Sequence, residues 1–490
     1  MSKETNPLKS CEVAIIGAGF AGLCMAIKLR EAGIRDFVLL ERGDSVGGTW
    51  RDNTYPGCAC DVPSHLYSYS FRLSGDWSEV FPPWHEIRDY LTGCVAAYGL
   101  HSHLRLHTGV KELRYDETQS SYELILDDGA RLRARFVVAA TGPLTKPVIS
   151  ETPGLDSFKG GVMHSARWDH TYDLAGRRVA VIGTGASAIQ IVPALADRVA
   201  HLDVYQRTAP WILPRLNRRY RSKARWIYRH FPAARRFTRW VVYWRLEQFA
   251  FAVLKDGWTR RLFEKIGLWH LRRQVDDPAL RAKLKPAFRL GCKRVLLSDH
   301  YYPAMNKGNV KLITDPIVRV TPRGIVTADG AEHPVDAIVF ATGFRATEFV
   351  SPLRVHGRGD RELSEYWKDD APSYLGISVA GFPNFFTLVG PNTGLGHSSI
   401  VFMIEAQVRY VMDAIKAAKK HGWQRLEVRE DVQTAFTEET QQRLQGTAWQ
   451  SGCRSFYLSA NGKNYMMWPG STVEYWRRTR RFDVSAYTAD

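Results

Sequence analysis

Four consecutive apolar residues, Val13 to Ile16, give way at once to glycines, then to a mostly apolar helical stretch, then to a second apolar run closed by a charge, "FVLLE". A short unbroken apolar run reads as a strand buried on both faces, the form strands take inside a parallel sheet. The same order of strand, glycine turn, helix and strand recurs in "VAVIGTGASAIQIVPALADRVAHLDVYQR", opened by Val179 to Ile182. Two more apolar runs end in Ala-Thr-Gly, in "RFVVAATGP" (135–143) and "VDAIVFATGF" (335–344). Strands alternating with helices predict an α/β fold with two Rossmann-like dinucleotide-binding domains, and the arginine-rich stretch after the second unit predicts a helical insertion in the second of them.

Each glycine turn has a phosphate-binding logic. Gly17, Gly19 and Gly22 form GxGxxG: the first makes the tight turn, the second admits a pyrophosphate against the backbone, and the third lets helix pack on strand. The helix start offers unpaired N–H groups and the positive end of its dipole. Glu41 closes "FVLLE", where a carboxylate can hold ribose hydroxyls. In the second unit Gly183 and Gly185 take the first two positions and Ala188 the third. Counting 24 residues from the first glycine reaches Glu41 in one unit and Arg207 in the other. A carboxylate there repels the 2'-phosphate of NADP, whereas a guanidinium holds it through paired charge-assisted hydrogen bonds. The second unit therefore predicts NADPH, with Thr208 adding a hydroxyl. Two dinucleotide sites in one chain imply hydride transfer from NADPH to a flavin.

The residues after Glu41 point to FAD as the first dinucleotide. "GGTWRDNTYPGCACD" resembles the flavin site of class B flavoprotein monooxygenases, whose GGxW, YPG and Asp are met at Gly47, Gly48, Trp50, Tyr55, Pro56, Gly57 and Asp61. "FKGGVMHSARWD" matches FxGxxxHxxxW followed by Asp, at Phe158, Gly160, His164, Trp168 and Asp169, and so resembles the fingerprint of type I Baeyer–Villiger monooxygenases. Flavin monooxygenases that oxygenate nitrogen or sulfur share the Phe, Gly and His but end in Tyr or Phe without the acidic successor, and they stand as the alternative. The resemblance covers nearly the whole chain and includes "GCKR", Gly291 to Arg294.

That resemblance implies FAD and NADPH as cofactors, with a ketone and O2 as substrates. NADPH reduces FAD, oxygen adds at flavin C4a, and the deprotonated peroxide attacks the ketone to give a tetrahedral Criegee adduct, then an ester or lactone. Such an anion needs cation and hydrogen-bond donors in a water-poor site. Arg294 matches the family's active-site arginine, and Asp61 the aspartate that orients it, a pairing suited to a planar, permanently charged guanidinium. Lys293 matches a lysine that helps Arg207 on the 2'-phosphate. Cofactor contacts extend to Phe20, Ala21, Thr49, Tyr67 and Val110 around the first unit, and to Thr184, Ala186, Ser187 and Gln190 around the second. Phe158, Gly160, His164, Trp168 and Asp169 are expected to form a hinge between the nucleotide domains, with His164 setting its motion through hydrogen bonds.

Composition bounds these readings. The 490 residues, 45% hydrophobic and 12% aromatic, suffice for two or three domains. The expected partition is an FAD domain over 1–150 and 331–490, an NADPH domain over 151–214 and 287–330, and a helical subdomain over 215–286. With no apolar run of membrane-spanning length and no basic leader with a cleavage site, the expectation is a soluble cytoplasmic protein. Seven cysteines without a CxxC pair argue against a disulfide framework and a structural zinc, and no metal is expected. Cys58 and Cys60 read as small apolar fillers. His397 and Ser398 lack the GxSxG elbow of a hydrolase, and His101, His103 and His107 read as surface residues.

The formal charge of +17 is concentrated in "RLNRRYRSKARWIYRHFPAARRFTRWVVYWRLEQF" (215–249), where arginines alternate with aromatics. Two readings stand: an amphipathic cap with a solvated arginine face, or a face for peripheral contact with a membrane or a partner. Nucleic acid is not expected, because no RNP, helix-turn-helix or zinc-finger signature accompanies the charge. If these helices lined the substrate entrance, their aromatic face would suit a large apolar ketone. The oligomeric state is left open.

Overall fold

In the computed structural model, residues 9–490 are described except 150, 255–256, 454, 456 and 460. The first half builds β1 (Lys9–Ile16), β2 (Phe37–Leu40), β3 (Leu104–Arg105), β4 (Val110–Asp116), β5 (Ser121–Leu126) and β6 (Arg131–Ala139) into one sheet. β1 is central and parallel to both neighbours, with Val13 opposite Phe37 of β2 and Phe136 of β6. Its position explains its composition: Val13, Ala14 and Ile15 are wholly buried, so no polar residue is tolerated on either face. β4 and β5 add an antiparallel meander to β6. Arg354–His356 and Phe385–Thr387 return late in the chain to pair with β4 and β6.

Three helices serve this sheet: α1 (Phe20–Glu31), α2 (Thr49–Asp52) and α3 (Trp84–Ala97). α1 packs against the long helix Ile400–His421, whose buried Val401, Ile404, Val408, Val411 and Ile415 recur at helical spacing. Each such side chain contributes about 1.5–3 kcal/mol by leaving water. The Ser399 hydroxyl caps the start of that helix by accepting from Val401 N–H, and Gly422 at φ 73° ends it.

The second sheet is entirely parallel. It contains β7 (Gly161–His164), β8 (Arg178–Ile182) and β9 (His201–Tyr205), in the order Val310–Ile313, β9, β8, Ala337–Phe340, β7. α4 (Ala188–Ala196) follows β8 as the crossover helix. Residues 161–164, part of the expected hinge, form an edge strand paired with Ala337–Phe340. One expectation is corrected here: "VDAIVF", placed by the expected boundary at 331 in the FAD domain, supplies a strand of the second sheet, where the wholly buried Ala337 to Phe340 require neighbours on both sides.

Between β9 and Val310 the chain forms α5 (Ser222–His230), α6 (Pro232–Leu254), α7 (Trp258–Gln274) and α8 (Pro278–Leu284), which fits the expected helical insertion. The start of α8 follows from sequence: Asp277 accepts from the N–H groups of Ala279 and Leu280, and Pro278 takes the first helical position. No described helix is long and apolar enough to cross a membrane. The expectation of no disulfide framework meets one exception. Cys292 and Cys453 form a disulfide across 161 residues of chain, a pairing created by tertiary folding and carrying no local spacing signal.

Candidate active site

The first glycine turn leaves β1 at Ile16. Gly17 sits at φ +101°, and a Cβ there would meet Ala140 O at 2.6 Å. On Gly22 a Cβ would lie 1.8 Å from Gly17 O, so the third glycine is demanded by helix–strand packing. α1 begins at Gly19 without a side-chain cap, which leaves its first amides for a ligand. Gly48 faces Gly19 across the turn, a hypothetical Cβ on it lying 3.2 Å from Gly19 Cα, so two bare backbones flank the cradle. Glu41 is buried at the end of β2, accepting from Ala18 N–H and Gly43 N–H at 2.8 Å each, and Arg51 Nη1 donates to it at 2.5 Å.

Aromatic side chains close the other side. Trp50 Nε1 donates to the Tyr67 hydroxyl at 3.1 Å, and the two rings meet edge to face at 5.5 Å. Phe20, whose neighbour Ala21 is also buried, sets its ring 5.1 Å from that of Tyr67. Thr49 opens α2 beside Gly48, and Val110 opens β4 next to the Gly109 backbone. This cradle, with glycine backbones, an uncapped helix start and a buried carboxylate, fits an adenine dinucleotide such as FAD.

The second turn repeats the geometry with more room. Gly183 is at φ +117° against Ala341 O, while a Cβ on Gly185 would meet nothing within 4 Å, so open space lies above the turn. Gly185 and Ala186 are exposed, and Ser187 starts α4 without a side-chain cap. Thr184 Oγ1 donates to Thr208 O at 3.0 Å, which fixes the loop carrying the exposed Arg207. Lys293 stands close to Arg207: burial first, and the Arg207 charge second, hold its ammonium pKa below the ordinary value. Two cations brought together without a carboxylate between them fit a doubly charged phosphate. Gln190, among the expected cofactor contacts, is bonded within the protein. Its side chain accepts from Tyr55 OH at 2.9 Å and donates to Ala59 O at 2.9 Å, stitching α4 to the flavin loop.

The two residues assigned to chemistry are Asp61 and Arg294. Arg294 Nε donates to Asp61 Oδ2 at 3.0 Å, and its Nη2 also donates to that oxygen. The pair is partly open, with side-chain exposures of 39% for Arg294 and 29% for Asp61. Burial works to raise the Asp61 pKa, but the charge and hydrogen bond of Arg294, then the charge of Arg215, hold it below the usual carboxylate range. Asp61 in turn raises the Arg294 pKa.

Two neighbours carried no sequence signal. Arg215 donates from Nη2 to Cys60 O at 2.7 Å and places a second guanidinium field on Asp61. Tyr457, buried, lies close enough to Arg294 and Asp61 to feel both charges, and burial pushes its phenol up to about 12. Cys58 is buried, with its thiol pushed up to about 12, and burial raises that of Cys60 as well, so both are poor nucleophiles, in keeping with small fillers.

The hinge residues are held tightly. Phe158 packs on the underside of the second sheet, and a Cβ on Gly160 would strike Asp336 O at 2.2 Å. His164 is buried, its Nδ1 accepts from Ala166 N–H at 3.1 Å, and its ring meets Phe344 edge to face at 5.8 Å. Burial lowers its pKa to about 4, so the ring is neutral at pH 7. Trp168 packs partly buried against the main core, and the exposed Asp169 closes a turn by accepting from Thr171 N–H at 2.8 Å. These residues anchor the edge of the second sheet to "ATGF".

The profile of the pyridine nucleotide-disulphide oxidoreductase family matches residues 14–225, which span both glycine units. A Baeyer–Villiger monooxygenase of Streptomyces coelicolor is 46% identical over 489 residues, covering 99% of this chain and 94% of that one. The chain belongs to the Baeyer–Villiger monooxygenase family. It is an FAD- and NADPH-dependent monooxygenase, and its two sheets are the cores of two Rossmann-like domains. The OTEMO complex with FAD and NADP superposes at a TM-score of 0.89 with 28% identity, covering 99% of this chain and 100% of that one. Oxidized steroid monooxygenase bound to NADP gives a TM-score of 0.86 with 31% identity, covering 98% and 99%.

Proposed function

We propose that this chain inserts one atom of O2 beside the carbonyl of a ketone, giving an ester or lactone, at the open face of the Asp61–Arg294 pair. The observation that carries the reading is that pair: a permanently charged guanidinium, fixed by a carboxylate and partly open, near Tyr67 of the first cradle and next in the chain to Lys293, which stands by Arg207 of the second. Gly17, Gly19, Gly22, Gly48 and Glu41, with Phe20, Trp50 and Tyr67, hold the FAD. Gly183, Gly185, Arg207 and Lys293 hold NADPH, and the enzyme works in the cytoplasm. When bound, the reduced flavin supplies the activated oxygen.

The chain's own residues do the rest. Arg294 stabilises negative charge on oxygen as the carbonyl carbon becomes tetrahedral, where a fixed donor in a water-poor site is worth most. Asp61 keeps that donor aimed and remains ionised at neutral pH, its pKa being held low. Tyr67 and Trp50 exclude water on the flavin side, and His164 acts as a positioning residue, holding "ATGF" against the second sheet.

Gas chromatography of products from a ketone panel, with NADPH and oxygen, tests the reading. An ester or lactone is the expected product. A broad panel yielding none, with amines or sulfides oxygenated instead, refutes it. On α6, Phe237, Trp240 and Trp244 face outward, while Arg235, Arg239, Tyr243 and Glu247 bond to the protein. Steady-state rates on cyclohexanone against a steroid or long-chain ketone decide the size of the ketone.

A further inference from the structure

α6 is built inside out. An ordinary surface helix turns its apolar stripe to the core and its charges to water. Here Arg235, Arg239, Tyr243 and Glu247, at four-residue spacing, face the protein and spend their polar atoms on it. Arg235 donates to Leu73 O, Arg239 to the carbonyls of His65, Leu66 and Ser68, Tyr243 meets the Thr472 hydroxyl, and Glu247 accepts from Thr472. Phe237, Trp240, Val241 and Trp244, at the i, i+3, i+4, i+7 positions of the other face, are 42–64% exposed. α7 also carries an exposed aromatic stripe, here opposite a largely apolar inner face. Gly267, His270 and Leu271 are buried, while Trp258, Leu262 and Trp269, on one stripe with Lys265, are 46–74% exposed. On α5, Trp226 adds a further exposed ring.

Charge surrounds these stripes. Residues 215–286 hold 20 of the chain's 67 Lys and Arg and 5 of its 50 Asp and Glu, so +15 of the formal +17 lies in this one segment. On α6 the exposed Arg236 and Arg245 flank the aromatic stripe, and on α7 the exposed Arg261, Arg272 and Arg273 flank the other, with Arg273 set 5.3 Å over the Trp269 ring.

We infer that the outer faces of α6 and α7 dock the enzyme on an anionic lipid bilayer. Tryptophans interleaved with arginines match the headgroup layer, where the ring enters the acyl boundary and the cation meets phosphate. The contact is peripheral, since no described helix can span and α6 itself carries four arginines in 23 residues. A second copy of this chain fits poorly, because apposing two such faces would bring like charges together. The inference stands independently of the proposed reaction.

Sedimentation of the FAD-loaded, full-length enzyme with vesicles tests it. The enzyme is expected to pellet with vesicles of mixed phosphatidylcholine and phosphatidylglycerol, weakly with phosphatidylcholine alone, and about tenfold less at high than at low ionic strength. The F237S/W240S/W244S variant, altered only at exposed positions, should keep its thermal midpoint and its NADPH-dependent activity while losing vesicle binding by about tenfold or more. R236E/R245E should lose binding to the anionic vesicles by a similar factor. Failure of the enzyme to pellet with the anionic vesicles at low salt overturns the proposal, as does binding unchanged in either variant. So does light scattering that finds a dimer dissolved by the triple substitution, which would assign the face to a second copy.

Discussion

Asp61→Asn keeps the shape of the side chain and one acceptor oxygen while removing the charge that faces Arg294. Two unit charges at the observed 3.0 Å attract by about 5–6 kcal/mol at an effective dielectric near 20. The side chains are 29% and 39% exposed, so water screens the pair, and the loss falls between that of a surface and a buried ion pair, at about 1.5–3 kcal/mol. If that energy aims Arg294 at the developing oxyanion, ester formation falls about 10–100-fold. Stopped-flow spectrophotometry separates the two halves of the reaction. Anaerobic reduction of the flavin by NADPH should stay within about threefold of the wild type, while ester formed per NADPH consumed drops and hydrogen peroxide rises. Arg294→Lys should not restore the product yield of the wild type, because an ammonium cannot present the same planar fork. Full ester formation by D61N would sink the argument. Equal loss of both half-reactions would sink it too, since Asp61 would then serve the fold alone.

Arg207→Ala removes one of the two cations at the second cradle and should raise the KM for NADPH about 10–100-fold while leaving that for NADH nearly unchanged; parallel increases for both would show that Arg207 does not read the 2'-phosphate. His65 and His164 are buried with pKa values of about 4 against 6.5 for a free histidine, so the unfolded chain binds protons that the fold refuses. Stability is therefore complete above about pH 6.5 and declines as pH falls toward 4, by at most about 3 kcal/mol for each ring. Thermal midpoints between pH 7 and 4.5 measure the slope, and His164→Asn, which keeps an acceptor for Ala166 N–H, should flatten it; an unchanged slope would exclude His164 as a contributor. Cys453→Ser opens a loop of 161 residues, and on chain-entropy grounds should cost up to about 5 kcal/mol and lower the thermal midpoint. A midpoint equal to that of the wild type, with both proteins kept oxidised, would mean that the bridge does not constrain the unfolded chain.

The parts of the site legible in sequence were those where chemistry forbids alternatives. Gly17, Gly22 and Gly183 were readable because a Cβ would collide with backbone oxygen, and Arg207 because equal spacing put it where Glu41 stands in the first unit. What escaped was non-local. "GVMH" is short, flanked by glycine, and exposes Val162, so it lacks the unbroken apolar run of an internal strand; its partner Ala337–Phe340 lies far along the chain. Arg215, Tyr457 and the Cys292–Cys453 bridge reach the site by tertiary folding and leave no spacing pattern. The arginine-rich helices failed for a different reason. Alternation of arginine with aromatics announces two faces but not which one is buried, and the usual rule assigns them the wrong way round for Arg239 and Trp240.

That inversion links the surface to the chemistry. Arg239 holds the carbonyls of His65, Leu66 and Ser68, which bracket Tyr67, and Tyr67 meets Trp50 at the first cradle. Two turns further on, Glu247 lies 3.3 Å from the buried His397 of the "NTGLGHSS" loop and also accepts from Thr472 near the end of the chain. α6 is therefore fastened at two points by its polar face, beside Tyr67 and at His397 with Thr472, while its aromatic face meets the surroundings. A helix with the ordinary arrangement would have buried Trp240 and Trp244 and left Tyr67 without this support. Exposing them trades apolar burial for a rigid connection, in which one guanidinium satisfies three carbonyls that a hydrophobic contact would leave unpaired.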